Sequence, residues 1–177
     1  MRIISGKHRG RNIIAPNNLP SRPTTDRAKE GLFNVLMNQF EFEDLTFLDL
    51  YSGTGNISYE MMSRGVTKGV SVDLNGKCIK FIEKTTELLQ QTEWEIEHAH
   101  VLAYLKNCTK TFDIIFADPP YKFTELKKLI DPIFERKLLN EGGWLILEHQ
   151  SATNIFIDRP ILMKREYGDS TFTIIEN

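Results

Sequence analysis

The rhythm of apolar and polar positions changes twice along the chain. Two short β-branched runs, Arg2–Ser5 and Arg11–Ala15, flank Gly6 and Gly10, which predicts a hairpin. Pro16, Pro20 and Pro23 punctuate the loop that follows. Beyond it Ala28, Leu32, Val35, Leu36 and Phe40 recur at helical spacing, behind Thr24 or Thr25 as a candidate N-cap. From Phe47 onward, short apolar runs alternate with amphipathic stretches. Strands are expected at 46–52, 69–74, 94–99, 112–117 and 142–149, with helices at 56–65, 76–91, 101–107 and 124–137 between them. The tail 160–176 reads as two antiparallel strands around Gly168 and Asp169. Such alternation implies a right-handed, doubly wound α/β sheet that is mostly parallel, with an antiparallel C-terminal edge. Ligands on these sheets sit at the carboxyl ends of the strands. The expected organisation is a basic hairpin arm and loop, 1–22, and one α/β domain, 23–177.

Composition narrows the class. The chain has 177 residues, 41% hydrophobic and 26% charged, as a soluble globular protein with its own core would. Cys78 and Cys108 lie far apart beside apolar residues and read as reduced thiols. His8, His98, His100 and His149 share no metal-ligand spacing, so no metal is expected. The opening "MRIISGKHRG" has no apolar leader, and no apolar run reaches the ~18 residues of a membrane span. This points to the cytoplasm and to no membrane partner. The net charge of −2 conceals an asymmetry. Residues 1–30 carry seven basic and two acidic side chains, +5, which leaves −7 on the other 147 residues. A basic arm on an acidic body is either a solvated tail or a phosphate-binding surface, with Arg2, Lys7, Arg9, Arg11, Arg22 and Arg27 as its contacts.

Chemistry enters at the strand ends. In "LDLYSGTGNIS", Gly53 and Gly55 permit a tight turn and close approach of backbone to a ligand. A structural turn and a dinucleotide site are the alternatives. Against a dinucleotide, Ser58 stands at the third glycine position. Asp49, at the end of the strand, would repel a pyrophosphate, whereas it suits an ammonium or sulfonium charge. Asp73 follows Gly53 by 20 residues, the spacing of a carboxylate that accepts from a ribose diol. An adenosyl ligand with a cationic tail satisfies all three features, and S-adenosylmethionine is the common molecule of that kind.

The fourth strand runs into "ADPPY". The nitrogen of an exocyclic amine on a base attacks poorly, because its lone pair is delocalised into the ring. Acceptors that hold its two N–H groups, and gain as the nitrogen turns positive, favour the transition state. Asp118 supplies a carboxylate, and Asp118 and Pro119 supply carbonyls. Pro119 and Pro120 fix φ and carry no competing N–H. Tyr121 offers a ring for base stacking, worth roughly 1–3 kcal/mol. The plainer reading is a strand-terminating turn. Glu148 is either a pocket-wall acid or a solvated strand end. Trp94 and Trp144 are expected to pack the sheet, and Met61 and Met62 the helix core.

"DLYSGTGNIS", "VSVDL" and "FADPPY" resemble the motifs of class I S-adenosylmethionine-dependent amino-methyltransferases. "MRIISGKHRGRNI", "RPTTDRAKEGLFNVL", "GGWLILEH" and "YGDSTFTII" extend the likeness over nearly the whole chain to the RsmD family, the bacterial 16S rRNA guanine-N2 methyltransferases. The resemblance implies a seven-stranded, Rossmann-like class I sheet with an N-terminal β-hairpin extension. It also implies one guanine of small-subunit rRNA as substrate, presented on a 30S particle, and S-adenosylhomocysteine as product. It assigns Asp118, Pro119, Pro120 and Tyr121 to catalysis. Asp49, Tyr51, Ser52, Gly53, Thr54 and Gly55 fall to the methionine side of the cofactor, and Asp73 and Leu74 to its ribose side. His100 stands where relatives often carry Asp or Asn toward the adenine amine; a neutral His100, or the Val101 backbone, would serve there. The segment "RPTTDR" either closes over the cofactor or caps a helix through Thr24 and Thr25. A monomer with no obligate protein partner is expected. The rivals are the same chemistry on a DNA adenine or a protein glutamine, and a non-catalytic RNA-binding module.

Overall fold

A computed structural model describes residues 1–19, 24–120, 123, 125–153 and 155–177. Of the predicted features, Pro20, Arg22, Pro23 and Tyr121 lie outside the described residues. Helix α1 (Asp26–Met37) starts at Thr25, whose hydroxyl accepts from the Ala28 N–H, and leads to a 3₁₀ turn at Phe42–Asp44. Then follow β1 (Thr46–Leu50), α2 (Asn56–Ser63), β2 (Lys68–Asp73), α3 (Gly76–Leu88), β3 (Trp94–His98), α4 (Val101–Asn107), β4 (Phe112–Ala117), α5 (Leu126–Glu135), β5 (Leu139–Gln150), β6 (Met163–Tyr167) and β7 (Ser170–Glu176). The seven strands form one sheet in the order β3-β2-β1-β4-β5-β7-β6. The first five run parallel, and β7 pairs antiparallel with both β5 and β6.

The apolar runs that gave no clear periodicity are buried on both faces, and their alternate residues divide between two cores. Phe47, Ile114, Phe116, Trp144 and Ile146 pack with α1, α2 and α3. Leu48, Leu50, Ile115, Leu145 and Leu147 pack with α4 and α5. Strand order reverses between β1 and β4, so the crevice between their carboxyl ends is the switch point where a ligand fits.

Two elements differ from their expected form. Strand β5 begins at Leu139, three residues before the expected start at 142. The pair Gly142-Gly143, expected to open the strand, lies inside it and absorbs a register shift opposite Phe112 and Ile114. A Cβ on Gly143 would lie 2.9 Å from the carbonyl oxygens of Asn140 and Asp113. The N-terminal hairpin forms over Met1–Ile3 and Arg11–Ile13 around the antiparallel bridge Arg2–Asn12: the Ile3 N–H bonds the Arg11 carbonyl at 3.0 Å and the Ile13 N–H the Met1 carbonyl at 2.9 Å. It is shorter than the predicted runs because the N–H groups of Ile4 and Ser5 reach the Glu60 carboxylate at 2.8 and 3.0 Å instead. Ile3 and Ile13 are buried in the α1–α3 core.

Candidate active site

The loop after β1 is set by backbone geometry. Tyr51, Gly53 and Gly55 all have positive φ, and Gly55 is the N-cap of α2. A Cβ at Gly55 would stand 2.6 Å from the Tyr59 ring, so the position needs glycine for space as well as for φ. Ser52 N–H bonds the Val72 carbonyl at 3.1 Å. Asp73, at the end of β2, accepts from the N–H of Gly53 at 2.8 Å and of Asn75 at 2.7 Å, one on each oxygen. The carboxylate is thereby fixed, with lone pairs left for a diol. Thr54 is buried, and its hydroxyl lies 3.9 Å from the Met1 sulfur. Beyond Asp73, Leu74 is 62% exposed at the mouth of a cleft of about 890 Å³ lined also by Asn75, Gly76, Lys77, Ile79 and His98.

Asp49 points inward. It is 2% exposed, and the Ser58 hydroxyl lies 2.5 Å from its Oδ2. Burial pushes its carboxyl up to about 7, the Ser58 hydroxyl opposes the rise, and the charges of Asp73 and Glu148 add to it. Gly55 has no side chain with which to cap α2, and Asp49 meets the first turn of that helix from the neighbouring strand through the Ser58 hydroxyl.

His100 is the N-cap of α4, and its Nδ1 accepts from the Leu102 N–H at 3.3 Å. In the neutral ring that leaves the hydrogen on Nε2, so the lone pair envisaged for an adenine amine is engaged by the helix. Val101 opens the same helix with a buried side chain.

The candidate catalytic loop leaves β4 at Ala117. Its first residue, Asp118, donates its N–H to the Leu50 carbonyl at 3.4 Å, which puts it beside the start of the glycine loop. Pro119 is buried and Pro120 exposed, and the Phe123 N–H turns back onto the Pro120 carbonyl at 2.7 Å. The Phe123 ring lies 6.2 Å from the Tyr51 ring. Burial raises the Tyr51 phenol to about 12. Phe123 therefore backs the loop. Its place at the end of "DPPYKF" was visible in the chain, but no spacing rule singles it out.

A polar chain missed by sequence reading ties the segment before α1 to this crevice. Thr24 donates to the buried Glu148 at 2.7 Å, so Glu148 is an enclosed, bonded acid and not a solvated strand end. Asn56, the first residue of α2, donates to the Thr24 carbonyl at 2.9 Å and accepts from Lys29 Nζ at 2.9 Å. Lys29 also donates to the Arg2 carbonyl at 2.7 Å and lies 3.3 Å from Glu60, which pairs in turn with Arg64 at 2.8 Å. Lys29 and Glu60 are fully buried. Of the two threonines, Thr25 caps the helix and Thr24 reaches the crevice.

The basic residues divide. Arg2, exposed, is paired with Asp26 at 3.4 Å, and Arg27 follows, exposed, on the first turn of α1. Lys7 and Arg9 are exposed on the hairpin turn, where the Lys7 N–H bonds the carbonyl of Ser63 at the far end of α2. Arg11 reaches the Leu88 carbonyl at the last residue of α3. Among the described residues no group of His, Cys, Asp and Glu is placed to hold a metal, and no helix is long and apolar enough to cross a membrane.

The family model described as Conserved hypothetical protein 95 matches residues 1–176. The ribosomal RNA small subunit methyltransferase D of Buchnera aphidicola subsp. Baizongia pistaciae is 32% identical over 160 residues, 90% of this chain and 81% of that protein. Among solved structures, the protein TTHA0928 of Thermus thermophilus is similar with a TM-score of 0.86 at 24% identity, over 100% of this chain and 99% of that one. SMU.776, solved in complex with SAH, is similar with a TM-score of 0.67 at 22% identity, over 84% of this chain and 49% of that one. The sheet order and these likenesses make the fold that of class I methyltransferases. With a match over its full length but one residue, the chain belongs to the family Conserved hypothetical protein 95, the RsmD family.

Proposed function

We propose that this protein methylates the exocyclic N2 amine of a guanine in small-subunit ribosomal RNA, using S-adenosylmethionine, on an assembled or assembling 30S particle. The reading has it work as a cytoplasmic monomer. Family membership and the name of the Buchnera relative support the substrate class. The observation that carries the chemistry is the Asp118 N–H bond to Leu50, which seats an acceptor-rich loop against the glycine loop at the switch point of the sheet.

The residues fit an adenosyl donor with a cationic tail. Asp73 is fixed with lone pairs to spare, Leu74 presents exposed apolar surface, and Asp49 and Glu148 put negative charge in the crevice wall. Gly53, Thr54 and Gly55 would lie along the methionine portion, and Asp73 along the ribose. When bound, the donor supplies an electrophilic methyl on sulfonium. Asp118 and the carbonyls of Asp118 and Pro119 would accept the two N–H groups of the guanine amine and hold its lone pair toward that methyl. Their attraction grows as the nitrogen becomes positive, so it lowers the barrier more than it stabilises bound substrate. Pro119 and Pro120 offer no N–H to compete. Holding the pair in line contributes further. The proton is then lost from the methylated amine, which is acidic in its cationic form, with the Asp118 carboxylate beside it. Tyr121 is the proposed stacking ring for a base turned out of its helix.

Asp118→Ala tests this. Labelled methyl transfer to purified small subunits is expected to fall about 10²-fold or more, while calorimetric affinity for S-adenosylmethionine changes less than a few fold. Nucleoside mass spectrometry should find N2-methylguanosine in the product. Normal turnover in this variant, or label appearing on DNA adenine or protein glutamine instead, would sink the proposal.

A further inference from the structure

One polar stripe interrupts the apolar face of the sheet beneath α2. Asp49 and Ser71 are register partners on β1 and β2, and Ser58 of α2 lies over them. Trp94 Nε1 donates to Ser71 Oγ at 2.9 Å. Ser71 Oγ is 2.8 Å from Ser58 Oγ, which is 2.5 Å from Asp49 Oδ2. All four residues are buried, Trp94 the least so at 6% exposure. Gly69, the register partner of Trp94, makes room for this chain of contacts. A Cβ there would stand 2.4 Å from the indole, so its absence lets the ring lie across β2 and bring Nε1 to Ser71, two residues on.

The direction of the relay follows from donor chemistry. An indole N–H can only donate. Ser71 accepts from it and turns its own hydrogen to Ser58, which turns its hydrogen to Asp49. The relay then ends on a carboxylate with every hydrogen placed. If Asp49 held a proton and started the relay instead, Ser58 would donate to Ser71. The Ser71 hydrogen would then have no acceptor among the hydrogen bonds of the described residues. A buried hydroxyl without a partner is costly.

We propose that Trp94 is a positioning residue whose indole N–H fixes the direction of the Ser71–Ser58 relay, so that Asp49 stands as a carboxylate where a cationic methyl donor binds. The cofactor part rests on the function proposed above. The need for such a device is plain from the surroundings. Burial favours the neutral acid at Asp49, and the groups that act on it from β2, β5 and α2 are Asp73, Glu148 and the Tyr59 phenol, none of them a cation. Trp94, on β3, is separated from the crevice by β2 and β1 and touches no ligand in this scheme; it acts through two serines.

Carboxyl ¹³C resonances of the ligand-free protein report the Asp49 titration directly. In Trp94→Phe its midpoint is expected to rise by roughly half a unit to one unit. By calorimetry, S-adenosylmethionine should then bind up to about tenfold more weakly at pH 6, with the variant and wild-type curves meeting near pH 9. Ser71→Ala, a smaller change in volume, should move the midpoint the same way and serves if Trp94→Phe does not fold. An unmoved Asp49 midpoint in folded variants overturns the relay. A moved midpoint with an unmoved binding profile overturns its role toward the donor. If the wild-type protein binds no S-adenosylmethionine at any pH, the functional reading fails, and the titration of the free protein still decides the relay.

Discussion

Asp49 carries two opposed demands. Its position suits a cationic ligand, yet the fold encloses the carboxyl and raises it from 3.8 to about 7. In the unfolded chain the group ionises near its ordinary value. Between about pH 4 and 7 the native state therefore holds a proton that the unfolded state has released, and stability falls as pH rises through that window. Below it both states are protonated, and no penalty remains. Asp49→Asn removes the titration. Its melting temperature should change less between pH 4 and 7 than that of the wild type, and above pH 7 its unfolding free energy should exceed the wild type's by on the order of a few kcal/mol. Above pH 7, where the wild-type carboxyl is charged, its affinity for S-adenosylmethionine should fall below that of the wild type. Parallel melting profiles for the two proteins would show that Asp49 titrates normally. Asp73, at the end of the next strand, is instead held by two backbone N–H groups, one on each carboxylate oxygen.

The arm and α2 are joined by charge as much as by apolar contact. Lys29 places its three hydrogens on Arg2, Asn56 and Glu60, and Glu60 receives Lys29, Arg64 and two arm N–H groups. Removing one member of such a buried set leaves the others unpaired. Lys29→Met should cost about 3–5 kcal/mol in urea unfolding, whereas Arg2→Ala, which breaks the exposed pair with Asp26, should cost under about 1 kcal/mol. Equal losses would mean that the buried set is not the joint. Strands β2, β4 and β5 were legible in the sequence because each apolar run ends in an acid, Asp73, Asp118 and Glu148, and because burial on both faces favours apolar stretches. The carboxyl-end positions of Asp73 and Asp118 followed from that pattern. The joint was not legible. "NISYEMMSRG" shows a glutamate in a helix, and only the distant arm, bringing its N–H groups there, makes the position interior. The inward turn of Asp49 and the use of His100 as a cap likewise depend on neighbours that no local spacing reveals.

Charge over the whole protein sets how a polyanion can approach. The first 30 residues carry +5 and the rest −7, so an RNA held along the arm meets attraction and elsewhere meets repulsion. The fold stretches that basic surface. Arg2, whose carbonyl shares Lys29 with Asn56, lies by the first residue of α2 and Arg27 sits on the first turn of α1, while Lys7 and Arg9 lie beyond the far end of α2, about 12 Å along an eight-residue helix. If phosphates follow the arm, the remote pair should add to affinity without touching the chemistry. Each lost phosphate contact lowers the slope of log K against log salt by about 0.7–0.9. The double variant Lys7→Ala, Arg9→Ala should therefore bind small subunits with a slope shallower by about 1.4–1.8, while its single-turnover rate at saturating substrate stays near wild type. Asp118→Ala should do the reverse, with the slope kept and the rate lost. An unchanged slope in the double variant would confine the RNA to the crevice end, because a screened contact with phosphate cannot be removed without changing the number of counterions released.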